Sequence, residues 1–153
     1  MPDTFQRLEG ARSTLGMKTP VRVATTANIS LTGLQTIDGV ALAEDDRVLV
    51  KNQTDATRNG IYAAASSAWA RTKDFDGNTD FIQGTCVLVA AGTVGTGTIW
   101  RVSTSGAPSV GVASISFAEL TAEEEFPLVF NVKEYGALGN SSQDDTTFIQ
   151  AAI

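Results

Sequence analysis

The sequence predicts an all-β fold, built as a small antiparallel sandwich or barrel-like domain. Three observations predict it. Short apolar runs recur about every 8–12 residues, each bounded by turn residues. Charged residues reach only 18% and hydrophobic ones 42%, the balance being largely Thr, Ser and Gly, which favours strands and turns over helices. Asp38-Gly39 and Asn59-Gly60 are turn dipeptides, since both residue types tolerate the positive φ of a tight reversal. The composition excludes a helical bundle, and its hydrophobicity excludes a disordered chain.

Residues 1–19 are polar and interrupted by Gly10 and Gly16. They read as an N-terminal arm with a short helical turn around Phe5 to Ala11. From Pro20 to Ala118 the texture is that of a β domain. Its first strand is Val21 to Ala24. Asn28 to Leu34 alternates as a second strand, and Thr36 to Val40 is a hairpin around Asp38-Gly39. Arg47 to Lys51 follows, with Val48 and Val50 inward and Leu49 outward among the basic residues. Asn59-Gly60 turns the chain into Ile61 to Ala65, and Ala68 to Thr72 is next. Asp74 to Asp80 is a polar loop. Thr85 to Ala90 is apolar on both faces, the mark of a central strand. Thr98 to Val102 pairs with it across the glycine-rich segment 92–97. Val112 to Phe117 alternates Ala113, Ile115 and Phe117 against Ser114 and Ser116. Trp69, Trp100, Tyr62 and Phe117 are the expected large core residues.

Charge excludes several function classes. Eleven basic residues face seventeen acidic ones, a net charge of −6. No Lys/Arg cluster exists to track a phosphate backbone, so nucleic acid is not an expected partner. No apolar run approaches the ~20 residues of a membrane span, and the first residues do not form a secretory signal. The chain is therefore expected to be made in a cytoplasm without membrane insertion. With no histidine, Ser-His-Asp and Cys-His catalysis are ruled out and the usual zinc sites are not expected. The single Cys86 sits in an apolar run and reads as a buried inert thiol.

Four groups invite a chemical reading. Asp74 to Asp80 alternates oxygen ligands as a calcium loop does, but its Gly77 is fourth rather than sixth and Thr85 stands twelfth where Glu belongs. A solvated turn is the expectation. Asp45-Asp46 and Asp144-Asp145 could supply the carboxylate pair of a glycosidase. Neighbours on a strand face opposite ways, however, and the second pair suits a helix N-terminus. Trp69 and Trp100 are expected to pack rather than stack on sugars. No catalytic, cofactor or metal residues are assigned.

From Glu119 onward the balance shifts. Seven acids (Glu119, Glu123, Glu124, Glu125, Glu134, Asp144 and Asp145) face Lys133 alone. Residues 119–127 read as an acidic hinge and Glu123 to Glu125 as a solvated run. Ser142 with Asp145 resembles a capping box, and Phe148/Ala152 and Ile149/Ile153 fall at i, i+4 spacing on a closing helix. That helix ends with its apolar face uncovered, so the expectation is the front part of a longer chain.

Residues 128–153 carry Asn131-Val132, Tyr135-Gly136-Ala137, Gly139, Asp144-Asp145-Thr146 and Ile149-Gln150-Ala151-Ala152-Ile153. This pattern resembles the opening of the pectate-lyase-like right-handed β-helix. Within residues 21–76, the stretches Val21 to Ile29, Gly33 to Val40, Asp46 to Thr54, Asn59 to Tyr62 and Ala68 to Asp74 are similar to a module near the front of bacteriophage tail fibre and tailspike proteins.

The resemblance implies a phage tailspike: an attachment domain, then the first coil and capping helix of a truncated β-helix over 128–153. A β-helix coil takes about 20–25 residues and a solenoid needs about three repeats to bury a core, so any catalytic coils lie outside this stretch. The implied function is structural. The chain anchors and projects a trimeric, polysaccharide-recognising spike on the virion tail and docks another tail or baseplate protein. Bacterial surface polysaccharide is met only through a missing C-terminal part. Phe126, Leu128, Val129, Phe130 and Val132 are the candidate trimer contacts, since a lone coil leaves this strip too little of its own chain to cover it. The alternatives are a fragment of a polysaccharide depolymerase and a bacterial carbohydrate-binding module.

Overall fold

Val48, Leu49 and Val50 run consecutively and are all fully buried, so the strand that holds them must be covered on both faces. The computed structural model describes residues 16–106, 108–121 and 146, and it shows how that cover is built. The elements are β1 (Val23–Ala24), β2 (Thr36–Ile37), β3 (Val40–Ala41), β4 (Arg47–Val50), a 3₁₀ turn (Ala56–Arg58), β5 (Gly60–Ala63), β6 (Ala70–Arg71), β7 (Cys86–Leu88), β8 (Ile99–Val102) and β9 (Phe117–Glu119). The described residues are nearly all-β, in three small sheets, and none of the sheets closes into a barrel. The first is mixed rather than purely antiparallel, with order β1-β4-β5-β6 and β1 parallel to β4. The second is the hairpin β2-β3, and the third is antiparallel with order β7-β8-β9.

Register explains the two-sided burial. Val23 aligns with Val48, and Val48 with Tyr62, in one row; Ala24, Leu49 and Ile61 form the next. The Val48 row packs on Ile37 and Leu42 beside the hairpin and on Trp69. The Leu49 row packs on Val87, Val89, Val102 and Ile115, on the side of the third sheet. The outward placing expected for Leu49 is thus corrected: β4 lies between two apolar layers.

A second stitch runs from the N-terminal side. Residues 16–19, read from sequence as the end of the arm, run beside β7. Met17 and Val21 bridge Cys86 and Val89 in parallel. Lys18 N donates to Cys86 O at 2.8 Å and Val21 N to Leu88 O at 2.9 Å. Two residues later the same chain pairs with β4, so one extended segment joins two sheets. β7 therefore has neighbours on both sides, the central position that its apolar run predicts.

Other expectations are corrected. Asn28 to Leu34 forms bends, with one isolated bridge from Thr32 to Ala68. Asn59-Gly60 is no hairpin turn. The chain reverses through the 3₁₀ turn, whose N-cap Asp55 accepts from Thr57 N. Asn59 is buried and donates to Ile115 O at 2.8 Å. Val112 to Ser116 is turn and loop, and the strand begins only at Phe117. Trp69 and Tyr62 are buried as expected, but Trp100 and Phe117 are only partly so. Their place is taken by Phe75 and Phe81, whose rings stack at 3.9 Å between centroids. Phe75 lies inside the stretch read as a polar loop and is 1% exposed.

The chain divides into two units, Met1–Leu120 and Thr121–Ile153. The expected helical turn at Phe5 to Ala11, the Glu123 to Glu125 run, the β-helix coil and the candidate contacts Phe126, Leu128, Val129, Phe130 and Val132 all lie outside the described residues.

Candidate functional site

The Asp-Gly turn between β2 and β3 is the first piece of the site. Asp38 and Gly39 take φ of 47° and 79°, the left-handed conformations that such a turn demands. This aims the Asp38 carboxylate into the glycine-rich loop 92–97. Val94 N donates to it at 3.1 Å and Gly95 N at 2.8 Å, while Thr93 N donates to Asp38 O at 2.9 Å. Consecutive backbone N–H groups of this kind form a concavity suited to an anion, and the chain fills it with its own Asp38. A Cβ on Gly39 would lie 2.6 Å from Thr93 Oγ1.

Lys51, just past β4, is the second piece. Its ammonium lies over the Trp100 ring, 4.0 Å from the centroid, a cation–π placement. Lys51 Nζ donates to Asn52 Oδ1 at 3.1 Å. Burial lowers the Lys51 pKa, and the Glu119 and Asp38 carboxylates only partly offset this. Neither acid forms an ion pair with it. Trp100 Nε1 donates to Thr98 Oγ1 at 3.0 Å, and Thr98 Oγ1 to Gly95 O at 2.7 Å. β8 and β9 set Trp100 directly opposite Glu119.

These groups surround a cleft of about 180 Å³ lined by Ala24, Thr25, Thr26, Asp38, Lys51, Val94, Gly95, Thr98, Trp100 and Glu119. It brings together an aromatic ring, an ammonium, two carboxylates and hydroxyls. Its lining includes no histidine or thiol.

The sequence-predicted groups fall elsewhere. Asp46 is held by Arg22 Nη1 at 2.5 Å and Ala43 N at 2.7 Å, so it is no free partner for Asp45. Asp144-Asp145 lies outside the described residues. In the Asp74 to Asp80 loop each acid is engaged separately. Asp74 accepts from Arg47 Nη1 and Nη2 at 3.0 and 2.8 Å, Asp76 pairs with Lys73, and Asp80 accepts from Gly77 N at 2.6 Å. Burial raises the Asp74 pKa, but hydrogen bonds from Arg47 and Thr72 and the guanidinium charge outweigh it, and the net shift is downward. Lys18, 2% exposed, donates to Asp80 O. Among the described residues no three His, Cys, Asp or Glu group as metal ligands would. Trp69 is buried, with Nε1 donating to Gly33 O and Ala65 O at 3.0 and 3.1 Å. Cys86 is half-buried rather than fully buried, its Sγ 3.2 Å from Gly84 O.

Sequence reasoning named Trp100 but not the cleft. Asp38, Lys51 and Glu119 share no sequence motif; only sheet packing gathers them. No helix among the described residues is long and apolar enough to cross a membrane. No protein-family model, curated protein or solved structure matches the chain.

Proposed function

We propose that this chain is the N-terminal part of a phage tailspike, a structural protein that anchors and projects a trimeric, polysaccharide-recognising β-helix on the virion tail. One observation carries the reading: the order of two sequence patterns. A stretch similar to tail-fibre front modules lies at 21–76, and the Asn-Val, Tyr-Gly-Ala and Asp-Asp-Thr pattern of a β-helix opening lies at 131–146. The nearly all-β architecture of the described residues supports it, since an attachment module needs a stiff body rather than a reactive one. The mechanism is burial of apolar surface around a threefold axis plus docking to another tail or baseplate protein, with no chemistry in the chain. Surface polysaccharide is met by coils beyond residue 153. A fragment of a polysaccharide depolymerase is the same molecule with enzymatic coils attached.

Light scattering on the intact chain tests the reading. The expected mass is three times the 16.0 kDa of one chain, falling to one chain when residues 122–153 are deleted. A trimer that survives the deletion moves the interface into the β unit. A monomer at high concentration overturns self-assembly through residues 122–153.

A further inference from the structure

We propose that the cleft between Trp100 and Lys51 is a binding site for a single neutral hexose ring. Its size sets the first limit: about 180 Å³ is below the ~300–1,000 Å³ of sites for drug-sized ligands, so one ring fits and a folded chain segment does not. Its charges set the second. An anionic ligand drawn to Lys51 meets Asp38 and Glu119. A cationic ligand drawn to those acids meets Lys51, which already lies 4.0 Å over the ring. A ligand that is uncharged yet both donates and accepts satisfies all three, and vicinal hydroxyls do so.

The polar groups have capacity to spare. Glu119 is exposed, and neither its carboxylate nor the Thr26 hydroxyl has a hydrogen-bond partner within the described residues. Lys51 spends one proton on Asn52. Asp38 is fixed by the N–H groups of Val94 and Gly95, so it is a rigid acceptor whose remaining lone pairs need no reordering on binding. Lys51 hangs on four methylenes and swings aside, donating to a ring hydroxyl while the C–H face of the sugar takes its place on the indole. This site belongs to the β unit itself and is independent of the tailspike reading.

The test uses the full chain with maltotriose, cellotriose and mannotriose, read by tryptophan fluorescence and by calorimetry. Trp69 is buried and bonded at Nε1, so a fluorescence change reports Trp100. At least one trisaccharide is expected to bind saturably with a Kd on the order of 1 mM. Glu119→Gln and Lys51→Met are each expected to weaken it by about fivefold or more, as loss of a charged hydrogen-bond partner does. A trigalacturonate is expected to bind at least about fivefold more weakly, by charge repulsion. No saturable change with any of the three up to about 50 mM, well above that Kd, overturns the proposal. So does binding that both variants retain in full, or a preference for the acidic sugar.

Discussion

Asp74 shows how one side chain joins distant parts of the β unit. It lies just past β6 and grips Arg47 at the start of β4 with two hydrogen bonds, and both side chains are mostly shielded from solvent. Arg47 also donates to Thr19 O, so the pair ties the N-terminal segment in as well. Because the folded pKa of Asp74 is lowered, its contribution is fully present above the unfolded value near 4 and is lost as pH falls through the folded pKa. Asp74→Asn is expected to cost about 1–3 kcal/mol at pH 7, the penalty for leaving a shielded guanidinium without its anion. Urea titrations should show that gap shrinking as pH falls from the unfolded value near 4 through the lowered folded pKa, where wild-type Asp74 takes up its proton. A gap independent of pH would mean that shape, not charge, holds Arg47.

At the scale of elements, the hairpin β2-β3 is held to the glycine-rich loop through its turn, with Asp38 seated on the loop's N–H groups. Gly39 and Gly33 separate the two costs of a side chain there. Both have positive φ, 79° and 73°, but a Cβ meets Thr93 Oγ1 at 2.6 Å only at position 39. Gly33→Ala is expected to cost the left-handed backbone penalty, about 1 kcal/mol. Gly39→Ala is expected to cost that plus the displacement of Thr93, about 2 kcal/mol in all. Thermal melts of the two variants decide it, and equal losses would mean that Thr93 yields freely.

At the scale of the whole β unit, stability rests on few long-range stitches because every strand among the described residues is only two to four residues long. Strands this short are not stable as isolated pairs. The segment from Lys18 to Ala24 runs beside β7 and then β4, and its Val21, Val23 and Ala24 enter both apolar layers. A chain beginning at Thr25 is expected to lose cooperative melting and near-ultraviolet dichroism, compared with a chain beginning at Gly16. Retained cooperative melting would show that the sheets hold each other without the stitch.

The all-β class, the Asp38-Gly39 hairpin, the central place of the Thr85 to Ala90 run and the burial of Trp69 were legible in the residues themselves. Alternation, turn chemistry and apolar runs act over a few residues, and no competing contact overrode them. Leu49 was misread because alternation assumes one wet face, and a second sheet covers that face here. Phe75 was hidden by the aspartates around it, whose charges lie at the surface or in ion pairs while the ring turns inward onto Phe81. The 3₁₀ reversal at Ala56–Arg58 replaced the Asn-Gly turn because Asn59 is drawn inward to Ile115. The cleft was the least legible feature. Asp38, Lys51, Trp100 and Glu119 come from four separate strands or turns, and it is the packing of three sheets that brings them within reach of one another.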